Sequence, residues 1–505
     1  MVLTDRRLLT RAAWLMAIMG AGGFLRLWDL GRIGFNSDEA VYTGQAAALA
    51  GNPHLQPLFP VFRAHPLLFQ VLLSLVLRTG TSDIKARMVA AAFGIATILV
   101  VYLLGKLLYG APVGMVSAAI MAVTPYGVVV SRQVLLDGPM AFFATVTLYC
   151  LARYCLVRDP RWLYAAGAMM GLTILAKETA ALLLVAIFEF FALVRTRRPR
   201  WREWSAALLI MIAVVAVYVA ALVVAHRTHT GEQYFLWQSA RPANHSYGFY
   251  IRVVPPAVGW GVIALAFGGA AWTWRSNGWR EGLLLTWVLV PAAVFSLVVA
   301  IKGFQYLEFI APALSVLAAR TVVLAPVRHK PRQARLVQIG RAAVGALLLV
   351  SLAITSWQQL NPAPTTSFLA GSGGLPGGRE TGYWVDGHVP QGGQLLTIGP
   401  SMANVIQFYG HRRTLALSVS PNPLDRNPSY EPVDNPDQQL RQGNFQYLVW
   451  DTFSAHRSPT FSSKLLSYVS KYHGVAVYTQ LIPVRQRDGH TFKTPVIVIY
   501  EVIST

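Results

Sequence analysis

Pro66-Leu67-Leu68-Phe69-Gln70-Val71-Leu72-Leu73-Ser74-Leu75-Val76-Leu77 is an apolar run of twelve residues, and its length decides how the rest of the chain is laid out. A helix crossing a bilayer needs roughly 20 apolar residues, so this run predicts a helix lying at the membrane surface. Left out of the count, it leaves eleven candidate spans. They lie near 12–28, 86–106, 111–130, 138–156, 162–176, 178–194, 204–226, 251–273, 281–301, 304–324 and 340–357. Lys106, Arg158 with Arg161, the cluster Arg195 to Arg202, Arg275 with Arg280, and the cluster Arg328 to Arg341 then all fall on the side of the N-terminus. Positive loops stay in the cytoplasm. That parity places the C-terminus outside and the run at Pro66 within one long outer loop, 29–85. Counted as a span, the run would put every later basic cluster on the wrong side.

Composition agrees with a polytopic membrane protein. Of 505 residues, 54% are hydrophobic and 13% charged, against roughly a quarter charged in soluble proteins. The net charge of +21 is explained by the short basic loops, which removes nucleic acid as a partner and leaves the lipid bilayer. The first run follows Arg6, Arg7 and Arg11 without a small-residue cleavage site, so it is read as a retained span. Cys150 and Cys155 are five apart on one run and point to different faces, implying neither a disulfide nor a metal site.

The predicted fold class is mainly α. Residues 1–360 form a helical membrane bundle carrying the outer loop, 361–378 a Pro/Gly/Ser/Thr-rich linker, and 379–505 a small extracytoplasmic α/β domain. In that tail, Gln394–Gly399, Thr414–Val419, Gln446–Asp451, Val475–Gln480 and Val496–Val502 read as strands. Met402–Tyr409 and Phe461–Tyr472 read as helices, as does Glu39–Ala50 in the outer loop.

Acidic residues are few, so their positions carry information. Asp38-Glu39 stands just beyond the first span. Successive helical side chains diverge by about 100°, so the two carboxylates do not share one proton. One can face a site while the other braces the loop, although Asp38 could also simply cap the following helix. Asp137, with Gly138 and Pro139, opens a span and could also be a cap; Arg132 is its expected ion-pair partner. His65-Pro66 follows Arg63 at the start of the surface helix. Lys177-Glu178 falls between two runs with almost no loop, where a lysine can also snorkel to the interface. Lys302 and Tyr306 precede the span near 304–324. Carboxylates and cations thus converge on the outer side.

In order and spacing these residues resemble the GT-C glycosyltransferases, specifically the group of protein O-mannosyltransferases and aminoarabinose transferases. The resemblance runs over Asp38-Glu39, His65-Pro66, Arg87, Arg132 to Asp137-Gly138-Pro139, Gly171 to Lys177-Glu178-Thr179, and Lys302, Tyr306 and Pro312. It implies an integral-membrane, inverting transferase of a hexosyl or pentosyl group, with a polyprenyl-phosphate sugar as donor and a lipid, glycan or protein as acceptor, working at the outer face of a plasma membrane. Asp38 matches the family's catalytic base, with Glu39 beside it. Lys177 matches its donor-binding lysine, with Arg63, Arg132 and Lys302 as further phosphate ligands. Tyr42, His65, Asp137, Glu178 and Tyr306 are expected to support the substrates. The aminoarabinose-transferase branch has a phosphate-holding arginine three residues after the aspartate, where this chain has Val41, and a lysine before the loop proline, where it has His65. Asp38 and Asp137 could also hold a divalent ion, although no cluster demands one. Two other classes remain open: a lipid-linked-sugar transporter or flippase, and a scaffold binding wall polymer.

Overall fold

In a computed structural model the described residues are 2–62, 65–272, 278–324, 331–361, 375–485 and 490–503. Among these residues sixteen α-helices precede the tail. They are α1 Val2–Leu27, α2 Ser37–Leu49, α3 Leu68–Leu77, α4 Asp83–Tyr109, α5 Ala111–Val123, α6 Pro125–Ser131, α7 Asp137–Val157 and α8 Pro160–Ala176. Then come α9 Leu183–Leu193, α10 Trp201–Val224, α11 Thr228–Ala240, α12 Phe249–Val258, α13 Trp260–Trp272, α14 Trp279–Leu297, α15 Ala311–Leu324 and α16 Pro331–Leu360. The tail adds β1 Leu395–Thr397, β2 Thr414–Ala416, β3 Tyr447–Asp451, β4 Val475–Arg485 and β5 Thr491–Glu501. Its helices are α17 Gly378–His388, α18 Pro400–Gly410, α19 Pro436–Arg441, α20 Thr452–Arg457 and α21 Pro459–Lys471.

Every expected span is occupied by a helix or a broken helix, but not all are equal. Among the described residues six helices are long and apolar enough to cross a membrane, or up to eight if each bent pair is one span. The remaining expected spans fall on α1, which contains Arg11 and Arg26, and on α8 and α9, which have 17 and 11 residues. The bent pairs have local causes. Thr124 lies in the extended region (ψ 121°) because a residue before proline is driven out of the helical well, and α5 and α6 meet at 57°. Gly259 sits at φ +102° between α12 and α13, which meet at 100°. A Cβ at that glycine would lie 2.5 Å from Leu352 Cδ2, so both conformation and space require glycine.

The chain divides into two compact units. The first holds Met1–Trp28, Arg87–Ala220 and Pro242–Asn361; the second holds Asp29–Ala86, Ala221–Arg241 and Pro362–Thr505. In the first, α7 packs on α8, α13 on α15, and α5 on both α15 and α1. Helix α8 approaches α10 so closely that a Cβ at Gly167 would lie 2.3 Å from the Ala207 carbonyl oxygen. Burial separates core from periphery: 72% of the apolar window in Phe304–Val323 is buried, against 11% in α10 and 6% in Val337–Leu360. Helices this apolar and this exposed require lipid as solvent, so the protein is a multi-pass membrane protein.

The second unit contains a five-stranded sheet in the order β2-β1-β3-β5-β4. Strand β1 is parallel to β2 and β3, while β5 is antiparallel to β3 and β4. All five strands fall on the β-rich runs that predict them, but β4 runs on to Arg485 and β5 starts five residues early, at Thr491, because the two form a longer hairpin. Leu396, Leu448, Phe445 and Leu465 form the core between sheet and helices. Helix α2 begins at Ser37, two residues before the expected start, and α3 confirms a helix of 10 residues in the short apolar run. Gln45 and Gln70, both buried, join α2 to α3 through a 3.2 Å hydrogen bond. Most of the expected linker lies outside the described residues.

Candidate active site

The expected site residues fall into two groups, one in each unit. In the second unit, Asn36 caps α2, its Oδ1 accepting from Asp38 N at 2.9 Å and Glu39 N at 3.0 Å. Glu39 Oε2 accepts in return from Asn36 N at 3.1 Å, completing a capping box. The capping role open to Asp38 therefore belongs to Asn36. Glu39 is 1% exposed and its carboxylate is spent on the helix start, whereas Asp38 is exposed on the neighbouring face. Helix α18 secures this turn: Phe35 N donates to Tyr409 Oη at 2.8 Å, and Asn404 Nδ2 donates to Ser37 Oγ at 3.0 Å. Tyr409 Oη in turn donates to Asp83 Oδ2 at 2.7 Å.

One turn after Asp38, Tyr42 meets the His65 ring edge-on, with centroids 6.0 Å apart. His65 also packs against Tyr234, whose hydroxyl lies 3.3 Å from His65 Nε2 and accepts from Gln238 Nε2 at 2.8 Å. Tyr234 was not among the expected residues. Its signal is the aromatic stretch Tyr234-Phe235-Leu236-Trp237 in an otherwise polar loop. Arg63 lies outside the described residues.

In the first unit, Lys177 Nζ donates to Asp137 Oδ1 at 2.7 Å, and both side chains are buried. The ammonium also lies 3.9 Å above the centre of the Tyr306 ring. Lys177 reaches inward because it is extended (φ −158°, ψ 123°) between α8 and a 3-10 turn, Glu178–Leu182. Two expectations are corrected here. Asp137 pairs with Lys177 and not with Arg132, whose guanidinium reaches from the turn to donate to the Leu25 carbonyl at 2.9 Å. Nor does Asp137 cap α7, whose N-cap is Leu136 with no side-chain bond. Burial and pairing also remove the snorkelling alternative for Lys177. Glu178 is half-buried and close enough for its charge to act on Lys177. Tyr126 holds the Tyr306 turn, donating to the Phe304 carbonyl and accepting from Leu307 N at 3.1 Å.

Lys302 is buried in a separate cluster. Its Nζ donates to the Val299 carbonyl at 3.1 Å, and its backbone is clasped by Asn244 through bonds of 2.8 and 2.9 Å. Sequence reasoning passed over Arg26 and Glu308, which are 0% and 4% exposed. Arg26 donates to the carbonyls of Gly22, Ala122 and Met121. Lone charges inside apolar runs are a functional signal in their own right. As for a metal, no group of three or more His, Cys, Asp or Glu side chains assembles among the described residues. The Asp137 carboxylate already faces a cation, so it does not fit a metal ion.

Residues 64–224 match the family model described as dolichyl-phosphate-mannose-protein mannosyltransferase. ArnT from Cupriavidus metallidurans in the apo state superposes with a TM-score of 0.70 at 13% identity, covering 97% of this chain and 98% of that one. The fold is that of ArnT. The same protein bound to undecaprenyl phosphate gives a TM-score of 0.69 at 14% identity, covering 96% of this chain and 98% of that one. The oligosaccharyltransferase of Archaeoglobus fulgidus gives 0.61 at 14% identity, covering 95% of this chain and 72% of that one. Among curated proteins, "Putative mannosyltransferase YycA" of Bacillus subtilis (strain 168) is 26% identical over 127 residues. That match spans 25% of this chain and 18% of the relative's length. The group resembled by the residues is thus the group these comparisons return.

Proposed function

We propose that this chain is an inverting glycosyltransferase that moves a sugar from a polyprenyl phosphate to an acceptor hydroxyl at the outer face of the plasma membrane. In this reading the N-terminus is cytoplasmic and the sheet-bearing unit extracytoplasmic. The observation that carries it is the start of α2, where Asp38 is exposed on a turn fixed by the Asn36–Glu39 box. The fold likeness to a protein crystallised with undecaprenyl phosphate supports the donor class.

A hydroxyl is a weak nucleophile at neutral pH. Asp38 accepts its proton as the oxygen attacks the anomeric carbon, and the bond from that carbon to the phosphate oxygen breaks. A single displacement inverts the anomeric configuration. The leaving phosphate carries its own charge, so it needs cations more than a proton. Lys177 can serve: an ammonium has three donors, and one hydrogen bond is made to Asp137. Arg132 and Lys302 are the further cations proposed for the phosphate, and His65, Tyr42 and Tyr306 the supporting groups.

The test uses purified protein, radiolabelled polyprenyl-phosphate sugars and a membrane extract. Transfer is expected from the native protein. Asp38→Asn should lose roughly 10²- to 10⁴-fold in rate, as removal of a general base does, while still binding donor. Near-normal turnover by that variant, or donor movement across vesicles without transfer, overturns the proposal.

A further inference from the structure

A groove of about 500 Å³ opens within the second unit, between the turn His54–Pro60 and a face built from α18, β2 and the turn Ser429–Glu431. Its volume lies in the range that encloses small organic ligands, and its walls define what such a ligand would be. The floor is Asn404, which is fully buried and donates to Ser37 Oγ and Tyr430 Oη at 3.0 Å each. Two further amides, Gln391 and Gln407, line the walls. Neither amide hydrogen-bonds another side chain or the backbone among the described residues, so their donors and acceptors are offered to the groove.

The fixed charges cancel. Arg413 and Glu431 both line the groove and are paired with each other. In a chain of net charge +21, that pair is the only permanent charge among the described residues lining the groove, whose other basic side chains are the imidazoles of His54 and His411. Flat apolar faces from Pro57, Leu58 and Pro400 alternate with the polar groups. Amides and hydroxyls interleaved with flat C–H surfaces match a molecule whose own surface alternates hydroxyls and C–H faces. A lipid tail would leave the amides unpaired, at a cost for each one buried.

We infer that this groove is the acceptor site and that the acceptor is a neutral, polyhydroxylated glycan. The inference rests on the transferase reading above, and its location ties the two together. Asn404 in the groove's floor donates to Ser37 Oγ, the residue immediately before Asp38, so the floor is tied to the first turn of α2.

The full chain in lipid nanodiscs, without donor, should bind at least one of mannotriose, maltotriose and xylotriose in saturation-transfer NMR. Gln407→Ala should weaken that binding several-fold and the groove-filling Gln407→Trp at least tenfold. Inorganic phosphate and an uncharged Thr-rich pentapeptide should leave the bound glycan in place. Binding of none of the three sugars, equal binding by both variants, or displacement by the peptide or phosphate overturns the inference. The two readings fail separately. Glycan binding without any transfer strikes the enzymatic reading, whereas normal transfer with an unchanged acceptor KM in both Gln407 variants strikes the groove.

Discussion

Lys177 and Asp137 are 40 residues apart in sequence and 2.7 Å apart in the fold. Each was visible separately as a charge at the edge of an apolar run, but their pairing was not. Residue type reports cost and not partner: the sequence shows that a charge must be neutralised, while the packing of α7 on α8 decides by what. The same holds for Arg132, the nearer cation in sequence, whose guanidinium is used on the Leu25 carbonyl. A buried pair has an unequal energetic signature. Removing one partner strands the other, costing about 3–5 kcal/mol, whereas replacing both by apolar groups can be neutral. Asp137→Asn should therefore lower the thermal midpoint in detergent far more than the double variant Asp137→Leu with Lys177→Leu. Equal losses in the two would show that the ion pair is not what holds this site.

Among the elements, α2 was legible and its anchoring was not. The capping signal around Asn36-Ser37-Asp38-Glu39 is local, so the helix start could be read to within two residues. Its attachment to α18 joins positions more than 360 residues apart, and no periodicity encodes that. Tyr409 is the clearest case, its hydroxyl accepting from Phe35 N and donating to Asp83. Tyr409→Phe removes both bonds while keeping the ring packed on Phe35 and Phe408. The expected cost is about 1–3 kcal/mol, since a buried backbone N–H loses its acceptor. Hydrogen exchange at the Phe35 amide should accelerate, and unchanged protection there would refute the anchoring role. The breaks in α5–α6 and α12–α13 fall inside stretches that read as single spans, 111–130 and 251–273; Pro125 and Gly259 sit at them, but the bends of 57° and 100° needed the fold.

For the molecule as a whole, compactness groups the outer loop with the tail, so that Asp29–Ala86 belongs to the same unit as the sheet. The aromatic contacts of Phe35 and Phe59 with Phe408 lie inside that unit. A chain ending before Gly378 should uncover fully buried Phe35, Leu55 and Phe59. Limited proteolysis should then cut within residues 29–62, which stay protected in the full chain; protection retained in the truncated chain would show that the loop is ordered without the tail.

What the sequence determined by itself is what depends on local pattern. Run length and basic loops established a helical membrane protein, β-rich runs located the five strands, and two adjacent acids marked a helix start. The tertiary structure alone decided which of those carboxylates is engaged in the cap and which is exposed, that Lys177 belongs to Asp137, that Tyr234 reaches His65, and that Arg26 and Glu308 are buried. The reason is physical: hydrophobic burial acts on each residue's own character and leaves a periodic trace. A hydrogen bond or ion pair acts on two groups at about 3 Å, and that distance is set by every packing contact between them.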